Sequence, residues 1–221
     1  MMGRICLRRG SLWMAAALLC VPLCAQQPAP SVHEMAGRVD HHYNSLHSLK
    51  ARFAETYQGL GMNRSESGTL LLLKPGRMKW EYDTPAGKVF DLDGKYAWFY
   101  SPGDPQVQRL PAKELNDLRS PLRFLLGHTE IEKELESLTL SPAANGAFTL
   151  TGRPKGDNRV AHLLLTITAE GVITGIEMQE PDGATTRFRF TEQKPNASIP
   201  VGTFRFTPPP GIPVVEAPPP V

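Results

Sequence analysis

Turn-forming residues cut this chain into short pieces, and their spacing constrains its fold more than any other feature. Of 221 residues, 19 are glycine and 21 are proline. Between these breakers, over residues 49–192, apolar side chains recur with a period of two. Leu49, Ala51, Phe53 and Tyr57 alternate with Lys50, Arg52, Thr56 and Gln58, the pattern of a half-buried strand. After Gly59-Leu60-Gly61, residues 68–73 read as a strand that is apolar on both faces. Lys74-Pro75-Gly76-Arg77 reads as a type II turn, leading back into Met78, Trp80 and Tyr82. Residues 89–92 and 96–100 form a second hairpin about Asp93-Gly94, read as a type I′ turn. Residues 107–110 add a short strand. The alternation resumes at 135–140, 147–151, 160–168, 172–179 and 185–192. The result is eleven strands, mostly in up-and-down order, which predicts a sandwich or barrel. The tail from Pro208 is too rich in proline for a sheet interior and is expected to be extended.

Two stretches break the β pattern. Ser31-Val32-His33-Glu34 has the spacing of a capping box, and Val32, Met35, Val39 and Leu46 follow on a narrow apolar stripe. This predicts one helix over 32–45, lying on the sheet. Residues 111–118 are weakly helical. Ser120-Pro121 then starts a second short helix carrying Leu122, Leu125 and Leu126, with Gly127 as its stop.

The beginning of the chain reads as an address. Arg4, Arg8 and Arg9 precede an apolar run over 12–23 and a small residue at Ala25, the three parts of a secretory signal peptide. Cleavage after Ala25 leaves 196 residues with a net charge of −1, a poor match to a nucleic-acid binder. Cys6, Cys20 and Cys24 all lie within residues 1–25, so the exported portion has no disulfide and no thiolate metal site or nucleophile. Acylation of Cys24 is the alternative; Val21-Pro22-Leu23 before it is bulkier than a lipoprotein cleavage site normally takes.

Catalytic motifs are lacking. There is no G-x-S-x-G, no Ser-x-x-Lys and no phosphate loop. His33, His41, His42 and His47 do not sit at helical offsets of three or four, so they read as solvated helix-face residues without a metal. Asp91 and Asp93 read as turn and edge residues. Apolar surface is the conspicuous property. Leu70, Leu72, Met78, Trp80, Phe90 and Trp98, with Phe53 and the helix residues Leu122 and Leu125, could fill a two-faced core. They could equally line a partly empty hollow on the concave side of a curved sheet, with the second helix as a removable lid.

The same residues carry a family resemblance. Residues 68–85, GTLLLLKPGRMKWEYDTP, resemble the "G-x-Φ…[RK]-P-x-x-Φ-x-W-x-Φ-x-x-P" block of the periplasmic outer-membrane lipoprotein carrier (LolA) family. Residues 93–102, DGKYAWFYSP, resemble its "DGK-x-x-W-x-Y-x-P" hairpin. Gln106-Val107 fits its "[EQ]Q[VA]" strand loosely, and residues 204–211, FRFTPPPG, resemble its closing block.

This resemblance implies an unclosed eleven-stranded antiparallel half-barrel over residues 26–215, covered by short helices, with a Pro-rich tail at 216–221. It implies a monomeric periplasmic carrier without catalysis or cofactor. Its cargo would be acylated lipoproteins, taken from an inner-membrane ABC-type release complex and passed to an outer-membrane acceptor lipoprotein. The expected cavity residues are Phe53, Leu70, Leu72, Met78, Trp80, Phe90, Trp98, Leu122 and Leu125. Lys74 stands where the family often carries an arginine that holds lid-side carbonyls, so it is the expected lid latch, looser than an arginine fork. Met78 stands where an aromatic is frequent. Alternatives are an acceptor of the same fold anchored through Cys24, an exported lipid-acting enzyme, and a periplasmic sensor domain.

Overall fold

A computed structural model describes residues 29–113, 130–156 and 159–217. The first element is α1 (Val32–Ser45). Its start follows the expected capping box. Ser31 Oγ accepts from the Glu34 amide at 3.2 Å, and Glu34 Oε2 accepts from the Ser31 amide at 2.7 Å. Met35, Ala36, Val39 and Tyr43 form its buried stripe. Leu46 is also buried but stands just past the helix, as its C-cap.

The strands are β1 (Ser48–Gly59), β2 (Met62–Leu73), β3 (Arg77–Thr84), β4 (Val89–Leu92), β5 (Tyr96–Tyr100) and β6 (Val107–Pro111). A four-residue helix, α2 (Ile131–Glu134), precedes β7 (Leu135–Pro142), β8 (Phe148–Pro154), β9 (His162–Ile167), β10 (Ile173–Gln179) and β11 (Thr185–Pro195). The last is β12 (Val214–Glu216). All belong to one unclosed sheet in the order β12-β6-β5-β4-β3-β2-β1-β11-β10-β9-β8-β7. Every pairing is antiparallel except that of β12 with β6.

Three expectations are corrected. There are twelve strands, not eleven. Val214, Val215 and Glu216 retain their amide protons between prolines and pair with β6 at the sheet edge, where neighbouring prolines are tolerated. Strand β2 starts at Met62, because the turn at Leu60 (φ 51°) and Gly61 (φ 75°) lets β1 and β2 pair along their whole length. At Asp93-Gly94 only Gly94 has positive φ. The turn is held by Asp93 Oδ1, which accepts from the Lys95 and Tyr96 amides at 2.7 Å each. Of the helix expected at 112–118, Ala112 and Lys113 are described and are helical; the rest of it, and the helix expected at 121–126 with Leu122 and Leu125, lie outside the described residues.

Alternation assigns the two faces. Leu49 and Phe53 of β1, Leu70 and Leu72 of β2, and Met78 and Trp80 of β3 point under α1. They join Leu150, Leu163, Leu165, Ile173, Ile176, Phe188 and Phe190 in one buried cluster. Gly68 sits at a bulge between β2 and β3. A Cβ there would fall 2.0 Å from the Glu81 carbonyl oxygen and 2.8 Å from Phe53, so only glycine lets Phe53 reach Tyr82, with ring centroids 5.1 Å apart.

The opposite face is partly covered by the chain after β11. Ser48 Oγ donates to the Ala197 carbonyl at 2.5 Å, Lys79 Nζ donates to the Thr203 carbonyl at 3.1 Å, and Phe206 packs on Trp98 and Tyr100. Phe204 is buried, and so is Asp91, whose two carboxylate oxygens lack hydrogen-bond partners. Asp91 is therefore no edge residue. It faces Lys79 on β3 and Trp98 on β5 in register. Burial pushes its carboxyl up to about 7; Lys79 opposes the shift, and Asp93 and Glu81 add to it.

A group whose value rises on folding stabilises most below its ordinary range, and that contribution fades as pH rises through the folded value. Thermal stability should therefore decline from about pH 4 to about pH 7 and level off above that. Asp91→Asn should remove most of this slope, as measured by calorimetry across the range.

Candidate functional site on the helix-covered face

The face under α1 is built from aromatic rings at its middle and aliphatic side chains around them. Phe53 meets Trp80 edge-on, with centroids 4.6 Å apart. Trp80 in turn meets Phe188 at 5.5 Å and Phe190 at 6.3 Å. A buried indole needs a partner for its N–H, and here Trp80 Nε1 donates to Met78 Sδ at 2.9 Å. The strands β8 to β10 add Leu150, Leu163, Leu165, Ile173 and Ile176. Such a surface can exclude water and receive hydrocarbon.

Helix α1 seals one part of this face, and a few polar contacts hold it there. Tyr43 Oη accepts from the Ile173 amide at 3.1 Å and donates back to the Ile173 carbonyl at 3.5 Å. Burial raises the Tyr43 phenol well above its ordinary value. Lys74 Nζ donates to the Tyr43 carbonyl at 2.6 Å, beside the Leu46 amide, which donates to the same oxygen at 3.3 Å. Burial lowers the Lys74 ammonium value. Arg38 donates to the Ala169 carbonyl at 2.7 Å, and Asp40 accepts from the Ile131 amide at 3.1 Å. Gly171, at φ 91°, lets its loop approach the Arg38 backbone; a Cβ there would fall 2.5 Å away.

The far end of the same face is charged. Glu66, buried, accepts from Lys88 Nζ at 2.5 Å and pairs with Arg64 Nε at 3.1 Å. Lys88 lies over the Tyr82 ring at 4.4 Å, and Arg64 over Tyr57 at 5.6 Å. Glu55 is raised by burial and by the Glu66 charge.

The structure brings Phe53, Leu70, Leu72, Met78 and Trp80 together in one cluster. Phe90 lies at its margin, half-buried against Phe99 at 4.9 Å. Trp98 is separated from them. Ala97 points inward, so Trp98 faces the other side, where it donates to Asp93 Oδ2 at 2.8 Å and packs on Phe206. Every residue of β5 except Ala97 is aromatic, so hydrophobicity alone could not choose the inward set. Glu66, Arg64 and Lys88 stand in no motif that marks them in the sequence, although Glu66 shares parity with Leu70 and Leu72. Among the described residues no cluster of histidine, cysteine or carboxylate ligands could hold a metal.

Residues 44–207 match the sequence profile of the family described as outer membrane lipoprotein carrier protein LolA. The chain belongs to this family. A protein named outer-membrane lipoprotein carrier protein from Chromobacterium violaceum is 28% identical over 203 residues, covering 92% of this chain and 96% of that protein. One of the same name from Dechloromonas aromatica is 30% identical over 190 residues, covering 81% and 88%. Among solved structures, an uncharacterised conserved protein from Thermus thermophilus matches with a TM-score of 0.54 at 16% identity, covering 85% of this chain and 100% of that one. That likeness is one of fold.

The two hydrogen bonds of Tyr43 generate a prediction. Tyr43→Phe leaves the Ile173 amide buried without an acceptor, a loss of about 1–3 kcal/mol. Amide hydrogen exchange in α1 should accelerate while the central strands stay protected.

Proposed function

We propose that this chain carries acylated lipoproteins across the periplasm toward the outer membrane. The observation that carries the reading is an apolar face spanning both halves of the sheet, closed by a helix that a handful of hydrogen bonds holds in place. Each acyl methylene withdrawn from water is worth about 0.8 kcal/mol, so fatty chains need a shield between membranes. A shield of fixed shape would hold them too tightly to release. Here the empty face is filled by Met35, Val39 and Tyr43 of α1, and cargo must displace them. The free energy of closing is subtracted from that of binding, which keeps the net affinity moderate.

In this reading residues 1–25 direct export, and no helix among the described residues is long and apolar enough to cross a membrane. Cargo comes from an inner-membrane ABC-type release complex and goes to an acceptor lipoprotein of the outer membrane. The role is non-catalytic. Lys74, bound to the last turn of α1, acts as the latch of the closed state.

Two measurements test the proposal. A triacylated peptide should displace an apolar dye from the purified protein, and its unacylated version should not. Leu72→Glu should reduce loading about ten-fold or more while β-type circular dichroism persists; a dye that acylated peptide never displaces would sink the carrier reading. Lys74→Leu should weaken the closed state and slow the transfer of loaded cargo to acceptor vesicles; transfer at the parental rate would remove Lys74 from the latch role.

A further inference from the structure

We infer that the outer face of β1 and β11, opposite the helix-covered side, docks an extended acidic segment of a partner protein. The first observation is a pairing that sheets avoid. A bulge at Glu192 (φ 50°) inserts one extra residue into β11, and the register beyond it sets Lys194 directly across from Lys50. Both side chains are exposed, and like charges directly opposite each other are destabilising. Neither lysine makes an ion pair among the described residues, and neither does Arg189, which stands opposite Ala54 further along the same face.

The second observation is a groove of about 610 Å³ on this face, lined in part by Arg189. It is floored by Ala54 and Gly175, walled by Arg187 and Arg189, and edged by Thr166 and Thr174, and Glu177 also lines it, its carboxylate held by Arg187. The floor is low because Ala54 is small and Gly175 has no side chain. A Cβ on Gly175 would crowd Thr166 Oγ1 at 3.3 Å and the Phe188 carbonyl at 3.4 Å.

Local carboxylates do not neutralise the strip. Glu177 pairs with Arg187 at 2.8 Å, and Asp83 with Arg52 at 2.5 Å. That leaves Lys50, Arg189 and Lys194 against Glu192. Threonine hydroxyls donate as readily to peptide carbonyls as to carboxylates, which fits a segment of chain lying in the groove. A bilayer surface fits less well, since membrane contacts bring apolar side chains with the charges. The exposed large apolar residues among those described are Leu60, Met62, Val201 and Val214, and none of them lines this groove. Because the strip is on the opposite face from α1, docking and loading can occur together.

The test uses a fluorescein-labelled decapeptide of alternating glutamate and threonine, followed by anisotropy with the full exported chain. Binding is expected at about 20 mM salt, with marked weakening at physiological ionic strength. The triple variant Lys50→Glu, Arg189→Glu, Lys194→Glu should weaken it about ten-fold or more. Ala54→Trp, which fills the groove without altering charge, should weaken it about five-fold. Both variants should still exchange apolar dye for acylated peptide, which separates this surface from the carrier reading. Absence of peptide binding at low salt overturns the inference. So does an Ala54→Trp protein that binds like the parent, since diffuse charge would then suffice. Preferential capture by phosphatidylglycerol vesicles, lost in the triple variant, would assign the strip to a membrane instead.

Discussion

The ladder between β1 and β11 is the interaction on which the rest of this architecture depends. It joins the first strand of the sheet to the eleventh, with Phe53 opposite Phe190 and Gln58 opposite Thr185. On one side of it lie the strands β2 to β6, and on the other β10 back to β7. Each half taken alone is a twisted meander with one greasy side. Joined through β1 and β11, they present a single apolar face whose aromatic centre, Phe53, Trp80, Phe188 and Phe190, draws on both halves. Closing a loop of this length has an entropic cost, but one that grows only slowly with length. Rings packed across the junction are what offset it.

A continuous apolar face must be covered, and the nature of the cover sets its behaviour. Helix α1 brings little apolar area of its own for a face that size, with Met35, Val39 and Tyr43 as its large buried side chains. Its attachment relies on backbone carbonyls as acceptors, at Tyr43, Ala169 and Ile173. Such bonds are worth about 1 kcal/mol each, net of water. They seat the helix on the face, and in the carrier reading cargo competes with them. Lysine at position 74 suits that balance: its ammonium reaches one carbonyl on a flexible stem, where a guanidinium could grip two.

Much of this was legible in the chain. The capping box at Ser31 and Glu34 fixed the start of α1, and the alternation through Leu49, Ala51 and Phe53 fixed which side of β1 is buried. Alternation fails where both parities are apolar. In β5 the small Ala97 occupies the inward site because Leu110 and Leu92 already fill the space around it, which sends Trp98 outward to Asp93 and Phe206. In β2, Leu71 is buried on the outer face, in register with Lys79, whose ammonium reaches the Thr203 carbonyl of a strap that begins more than a hundred residues later. Period-two logic has no access to such a covering segment. Nor could it supply β12, whose pairing depends on where the strap ends and not on any propensity of Val214 to Glu216.

That strap also explains why the outer face is divided. Over β3 to β5 it takes a hydrogen bond from Lys79 at the Thr203 carbonyl and lays Phe206 on Trp98 and Tyr100, and there Phe204 and Asp91 are buried as in a second, smaller core. Over β1 and β11 it lays nothing, because the chain crosses at one end of β1, where Asn196 bonds the Ser48 carbonyl. A sheet left bare on one side is usually finished with alternating charges that pair across strands. Arg187 with Glu177 and Arg52 with Asp83 follow that rule. Lys50 and Lys194, directly opposite each other, and Arg189, opposite Ala54 further along, depart from it, and Arg189 lines a hollow floored by the smallest residues of the face. Repulsion of this kind brings no benefit to the isolated fold, and an acidic segment docked along the strip would relieve it.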